Sequence, residues 1–143
     1  MKKKLLIPTD FSKNAWTALN YACDLYKEEE CEFYILNVFQ ARGYALESMM
    51  VPEPGENTYE LAKTKSEEGL DKLQDMLKFR NDNDKHSFIL LSQFNFLLEA
   101  MKDIIEKKDI DLIIMGTKGD TNSKSVVFGS NAVDAMEKIR NCP

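Results

Sequence analysis

The chain has 143 residues, 43% of them hydrophobic, enough to bury a core in one domain without relying on disulfides or a structural metal. Its 24 acidic against 19 basic side chains give a net charge of -5, which argues against broad binding to nucleic acid or to an anionic membrane. Three cysteines without a C-x-x-C pair and a single histidine argue against a disulfide scaffold or a zinc site, and point to a reduced, cytoplasmic protein.

The N-terminal Met-Lys-Lys-Lys begins like a signal peptide, but the apolar run lasts only from Leu5 to Ile7 before Pro8-Thr9-Asp10. That is too short for an h-region or a membrane span. Lys4 to Ile7 is instead predicted as a buried first strand closed by Pro8. From Ser12, a candidate cap, Ala15, Ala18, Leu19, Ala22, Leu25 and Tyr26 recur at helical spacing. Glu32 to Val38 is rich in β-favouring residues and is predicted as the second strand. Residues 39 to 55, with Gly43, Pro52, Pro54 and Gly55, form a connection, and Asn57 to Arg80 a long amphipathic helix.

Asn81 to Asp84 is a turn cluster, followed by a third strand from His86 to Leu91 and a third helix from Phe96 to Lys108. Leu112 to Met115 is the fourth strand and Asn131 to Arg140 the last helix. Strands alternating with helices predict an α/β domain, a doubly wound parallel sheet with helices on both faces. If the strand order is 3-2-1-4, connections diverge between strands one and four, where such sheets hold ligands. Pro8-Thr9-Asp10 and the segment from Gly116 onward converge on that crevice. The chain stops at Asn141-Cys142-Pro143, where a further apolar strand is expected. The expectation is therefore a single domain over 1–143, either C-terminally truncated or the N-terminal half of a tandem.

Between the fourth strand and the last helix stand Gly116-Thr117-Lys118-Gly119, nine further residues, then Gly129-Ser130. Glycines there let main-chain N–H groups approach a polyphosphate, and the following helix start adds partial positive charge. The alternative is that they are only turns and a helix start. Ser130 can cap the helix and touch phosphate with the same geometry. Asp10 is either a ribose or base contact or a turn residue; Lys118 and Lys124 either neutralise phosphate or sit in solvent. His86 and the cysteines read as structural, and Trp16 as a helix side chain packed on the sheet.

Leu-Ile-Pro-Thr-Asp-Phe-Ser at the start, Ile-Leu-Asn-Val38, Asp-Ile-Asp-Leu-Ile-Ile-Met-Gly and the spaced glycines ending Gly129-Ser130-Asn131 resemble the ATP-binding branch of the universal stress proteins, over the whole chain and in order. The most specific part is G-x-x-G, nine residues, G-[S/T], present without a gap. The resemblance implies an adenine nucleotide alpha hydrolase-like fold and a regulatory module of the stress response that binds ATP, or ADP or AMP. Adenine would lie at the backbone of Val38, with Pro8, Thr9 and Asp10 at base and ribose. Met115, Gly116, Gly119, Gly129, Ser130 and Asn131 would hold ribose and phosphates. A magnesium or manganese ion would be bridged by the phosphates rather than by protein side chains.

The resemblance also implies a homodimer or pairing with a second domain of the family, and regulation of protein partners that the sequence does not name. Two departures stand out: the family often has histidine where Asn37 stands, and often glycine after the third strand, where this chain has Ser92-Gln93-Phe94-Asn95. The chain has no G-x-x-x-x-G-K-[ST] loop, H-I-G-H signature or S-G-G-x-D-S loop, and no evident base to activate water. The reading is thus a non-enzymatic binding module. The alternatives are a slow metal-assisted ATP hydrolase and a nucleotide-free dimeric scaffold.

Overall fold

The computed structural model describes residues 2–40, 55–80, 83–116, 130–139 and 141–143. The elements in chain order are β1 (Lys3–Pro8), α1 (Lys13–Leu25), β2 (Cys31–Phe39), α2 (Gly55–Arg80), β3 (His86–Phe94), α3 (Leu97–Lys108), β4 (Leu112–Ile113) and α4 (Ser130–Lys138). The four strands form one sheet in the order β3-β2-β1-β4, with every pairing parallel. The expected order and doubly wound class are those of the structure.

Both central strands are apolar on both faces because helices cover both. On one face, Leu5, Ile7, Phe33 and Ile35 pack with Leu19, Ala22 and Cys23 of α1 and Leu70, Leu73 and Leu77 of α2. On the other, Leu6, Tyr34 and Leu36 pack with Ala100, Met101, Ile104 and Ile105 of α3, Ala135 of α4 and Ile139 just past it. Leu5, Leu6 and Ile7 have no exposed surface, so each contributes about 1.5–3 kcal/mol of burial free energy relative to exposure. A one-residue slip of β1 would exchange its two faces and break both cores at once.

Ser12 caps α1 as expected, accepting from the Ala15 N–H at 3.2 Å. α3 ends on Asp109 in the left-handed conformation (φ 53°), a state that Asp tolerates better than most residues. Arg80 at the end of α2 bridges Asp24 on α1 at 2.6 Å, tying the two helices of one face. Trp16 packs against the first cluster as a helix side chain on the sheet. His86 is also internal: its Nε2 lies 2.9 Å from the Tyr26 carbonyl, and its ring meets Phe33 edge-on at 4.8 Å.

β1 and β2 each run one residue further at both ends than expected, and two strand ends differ by more than one residue, each for a physical reason. β3 runs on to Phe94 rather than Leu91, because β2 continues to Phe39 and pairs with it through Asn37↔Ser92, Val38↔Gln93 and Phe39↔Phe94. β4 is shorter, ending at Ile113 instead of Met115. In a parallel ladder the backbone groups of alternate residues face the same neighbour. Lys4 and Leu6 carbonyls accept from Asp111 and Ile114, so the residue two further on, Pro8, also faces β4. Proline has no N–H to give the Ile114 carbonyl, and the ladder stops there.

All three cysteines are free and buried. Burial pushes the Cys23 thiol up from 9.0 to about 11, and burial is also the first cause of the upward shifts of Cys31 and Cys142. The native protein should therefore resist an aromatic disulfide reagent at pH 8 and release three equivalents of chromophore only in denaturant, three being the cysteine count. The unfolded Cys23 thiol ionises at a lower pH than the native one, so unfolding releases a proton in between. Its stabilisation is complete below pH 9 and is lost as the pH rises toward about 11. A urea midpoint that stays flat across that window, or rapid native labelling, would contradict this burial.

Candidate functional site

The site is built where β1 stops and its neighbours continue. The connection from β1 enters α1 on the first face, whereas α4 after β4 lies on the second face. The switch point therefore falls between β1 and β4, beside Pro8. On the other side of β1, the Thr9 N–H donates to the Leu36 carbonyl at 2.8 Å, the last main-chain rung to β2. By the same alternation Val38, two residues past Leu36, directs its N–H and C=O toward the space that β1 has left. Gly116 follows by two residues Ile114, whose N–H donates to the Leu6 carbonyl, and so leaves β4 beside the same space.

The result is a notch in the sheet floored by the end of β1 and flanked by the backbones of Val38 and Gly116. The side chains of Val38 and Met115 both pack against the second-face core, which orients the main chain on each side of the notch. Pro8 is buried, Thr9 half-buried and Asp10 exposed. The loop that leaves the notch is pinned by short-range bonds: Phe11 N–H to Thr9 Oγ1 at 3.1 Å, Ser12 N–H to Asp10 Oδ1 at 2.9 Å, then the Ser12 cap. One Asp10 oxygen is thus engaged in an Asx turn, as one of its two sequence readings held.

Phe11 has φ 66°, an unfavourable state for a bulky side chain that surrounding contacts must hold. Its ring lies against Gly69 of α2, where a Cβ would overlap the Phe11 ring atoms. A glycine inside a helix costs about 0.5–1 kcal/mol relative to alanine, and here it makes room for that ring.

Behind the loop lies a polar layer that sequence reasoning missed. The Asn37 Nδ2 group donates to the Thr9 carbonyl at 2.8 Å, and Ser66 Oγ on α2 donates to Asn37 Oδ1 at 2.6 Å. Ser66 Oγ also lies 2.7 Å from Ser92 Oγ on β3. Asn37 and Ser66 are buried, at 8% and 3% exposure, so these bonds are made out of water and leave few unpaired polar atoms. Two residues further along β2 and β3, Phe39 and Phe94 meet Tyr59 of α2 as a mutually packed aromatic group, with centroids 5.0–5.6 Å apart. The available signal was Ser66, a polar residue in phase with Leu70, Leu73 and Leu77 on the buried side of α2.

A groove of about 400 Å³ lies beside the notch, lined by Asn14, Thr17, Ala18 and Tyr21 of α1 together with Ile114, Met115 and Gly116. Asn14, Thr17 and Tyr21 form a polar stripe on one side of α1 that the sequence reading did not single out.

The structure thus brings together Pro8, Thr9, Asp10, Val38, Met115 and Gly116 of the predicted site. Ser130 and Asn131 are placed as the opening residues of α4, one turn earlier on the chain than its buried Ala135. Gly119, Gly129, Lys118 and Lys124 lie outside the described residues, as does most of the expected 39–55 connection. Among the described residues there is no cluster of three or more metal-ligating side chains, and no helix long and apolar enough to cross a membrane.

The model of the Universal stress protein family matches residues 1–140. Universal stress protein MJ0531 of Methanocaldococcus jannaschii is 30% identical over 142 residues, covering 99% of this chain and 79% of that protein. The solved structure of MJ0577 from the same organism superposes with a TM-score of 0.73 at 29% identity, covering 100% of this chain and 93% of that one. A universal stress protein solved in complex with cAMP shares the fold at a TM-score of 0.62 and 12% identity, covering 99% and 94% of the two chains.

Ser12→Ala removes the hydroxyl that caps α1 and should lower the unfolding free energy by about 1 kcal/mol. Urea unfolding should show a lower midpoint with an unchanged slope; an unchanged midpoint would mean that the cap carries no weight.

Proposed function

The chain belongs to the universal stress protein family, and on that premise we propose that it binds an adenine nucleotide in the notch past Pro8 and acts as a nucleotide-dependent regulatory module of the stress response. The observation that carries this reading is the pair of backbone groups on Val38, aimed past the last rung of the β1–β2 ladder. An adjacent N–H and C=O match the Watson–Crick edge of adenine: the N–H donates to ring N1 and the C=O accepts from the N6 amino group. Guanine presents an O6 acceptor opposite that carbonyl, leaving both oxygens unpaired.

Asp10, whose Oδ1 is held by the Ser12 N–H, keeps its other oxygen for a ribose hydroxyl. Met115 and Gly116 flank base and ribose from β4, and glycine there allows close approach. Gly119, Gly129, Ser130 and Asn131 would take the phosphates, with the α4 N-terminus supplying partial positive charge. Lys118 and Lys124 would add neutralising charge as flexible point charges. A magnesium or manganese ion, when bound, neutralises charge between the phosphates themselves. The complex of a family member with cAMP supports an adenine ligand for this fold. The module would work as a homodimer or beside a second domain of the family, in the cytoplasm.

Titration calorimetry with magnesium should show saturable ATP binding, tighter than GTP by about tenfold or more, a difference of about 1.4 kcal/mol, within the range for one mismatched buried hydrogen bond. Gly129→Val should abolish the ATP heat while leaving the circular dichroism spectrum unchanged. No saturation by millimolar ATP, or equal affinity for GTP, would refute the reading.

A further inference from the structure

The Thr9 carbonyl has an unusual partner. In the β1–β2 ladder its next acceptor bond would come from the Val38 N–H, since Thr9 N–H already donates to Leu36. Instead it is taken by the side chain of Asn37 at 2.8 Å, one residue earlier and on the α2 face of the sheet. The Val38 N–H has no main-chain partner outside the strand ladders among the described residues.

The polarity of the chain of bonds behind Asn37 is dictated by that carbonyl. A carbonyl only accepts, so the amide must turn its NH2 toward Thr9 and its oxygen toward Ser66. Ser66 spends its one proton on Asn37 Oδ1 at 2.6 Å, so the 2.7 Å contact with Ser92 must be donated by Ser92. Three side chains from β2, α2 and β3 therefore form a one-way relay, Ser92 to Ser66 to Asn37 to Thr9. Ser66 is 3% and Asn37 8% exposed, so water does not replace a lost Ser66 hydroxyl at equal strength.

We propose that this relay positions the adenine-reading backbone: by drawing the Thr9 carbonyl onto Asn37, it keeps the Val38 N–H from being consumed by the sheet. Asn37, Ser66 and Ser92 are then positioning residues, which touch no ligand and act through Thr9 and Val38. The inference rests on the nucleotide reading above. It deepens that reading by assigning base affinity to residues outside the notch. Without the Ser66 hydroxyl the Asn37 amide is free to rotate, and the Thr9 carbonyl can return to the Val38 N–H in competition with adenine.

The test uses Ser66→Ala, a change that favours the helix, with Ser92→Thr as the conservative partner that keeps the hydroxyl. Two probes are titrated with magnesium, ATP and base-free tripolyphosphate, and the exchange of the Val38 amide proton is followed by NMR without ligand. Ser66→Ala should weaken ATP about tenfold, the effect of one hydrogen bond, leave tripolyphosphate unchanged and slow Val38 exchange. Ser92→Thr should match wild type in all three. Unchanged Val38 exchange in Ser66→Ala, or tripolyphosphate weakened as much as ATP, would overturn the relay's role and leave it a packing feature. Wild-type protein that binds no ATP would sink the nucleotide reading instead, and Val38 exchange would then decide the relay alone.

Discussion

Pro8 is the constraint on which the candidate site depends. It lies at the carboxyl end of β1 with its backbone turned toward β4, the position at which the next rung would need an N–H. Any other residue there could extend the β1–β4 ladder by one bond and close the seam at the switch point. Proline withholds that bond at no cost to the β2 side, where Thr9 still donates to Leu36. The central strand thus ends before its neighbours. The sheet acquires a notch without losing a core residue, since Leu5, Leu6 and Ile7 are all fully buried.

Everything around the notch holds that ending in place. The chain must turn from a buried strand into α1 within four residues, Thr9 to Ser12, and it does so through side-chain bonds to its own backbone and one left-handed phenylalanine. That strained residue is stabilised from α2, where Gly69 leaves space for the ring. Ser66, three residues earlier on the same side of α2, reaches the polar layer. One helix therefore supports the loop twice, by shape and by hydrogen bonding. The aromatic group of Phe39, Tyr59 and Phe94 follows the polar layer along β2 and β3, and the aliphatic stripe of Leu70, Leu73 and Leu77 on α2 belongs to the core.

Much of this was legible in the sequence because it follows from local chemistry. Apolar runs long enough for strands, helical spacing in Ala15 to Tyr26, the Ser12 cap and the α/β alternation led directly to the doubly wound class. What was not legible depends on neighbours. The end of β4 depends on which strand the Pro8 backbone faces, a property of sheet order rather than of Leu-Ile-Ile-Met itself. The extra three residues of β3 exist because β2 offers partners as far as Phe39. Asn37, Ser66 and Ser92 are separated by 29 and 26 positions, and each alone looks like an ordinary polar residue. The departure of Asn37 from the family's frequent histidine was visible, but its meaning required the Thr9 carbonyl.

The arrangement also bears on how a bound nucleotide would act on the protein. Groups left over at the end of a sheet are satisfied by water in the free protein, and a base edge placed between Val38 and Gly116 would replace that water with directed bonds. Such a ligand takes the place of the rungs that β1 gives up, so it would join β2 to β4 across the switch point. Each face has its own core, and β1 pairs with β4 over two residues against six with β2, so this seam is the shorter of its two. A ligand that bridges the seam binds the folded state alone and therefore stabilises it in proportion to the logarithm of its concentration. It would act on the chain leaving β1 at Thr9 and the chain leaving β4 at Gly116 together, because both ends lie at the switch point. By that route occupancy of the proposed site would alter surfaces on opposite faces of one domain.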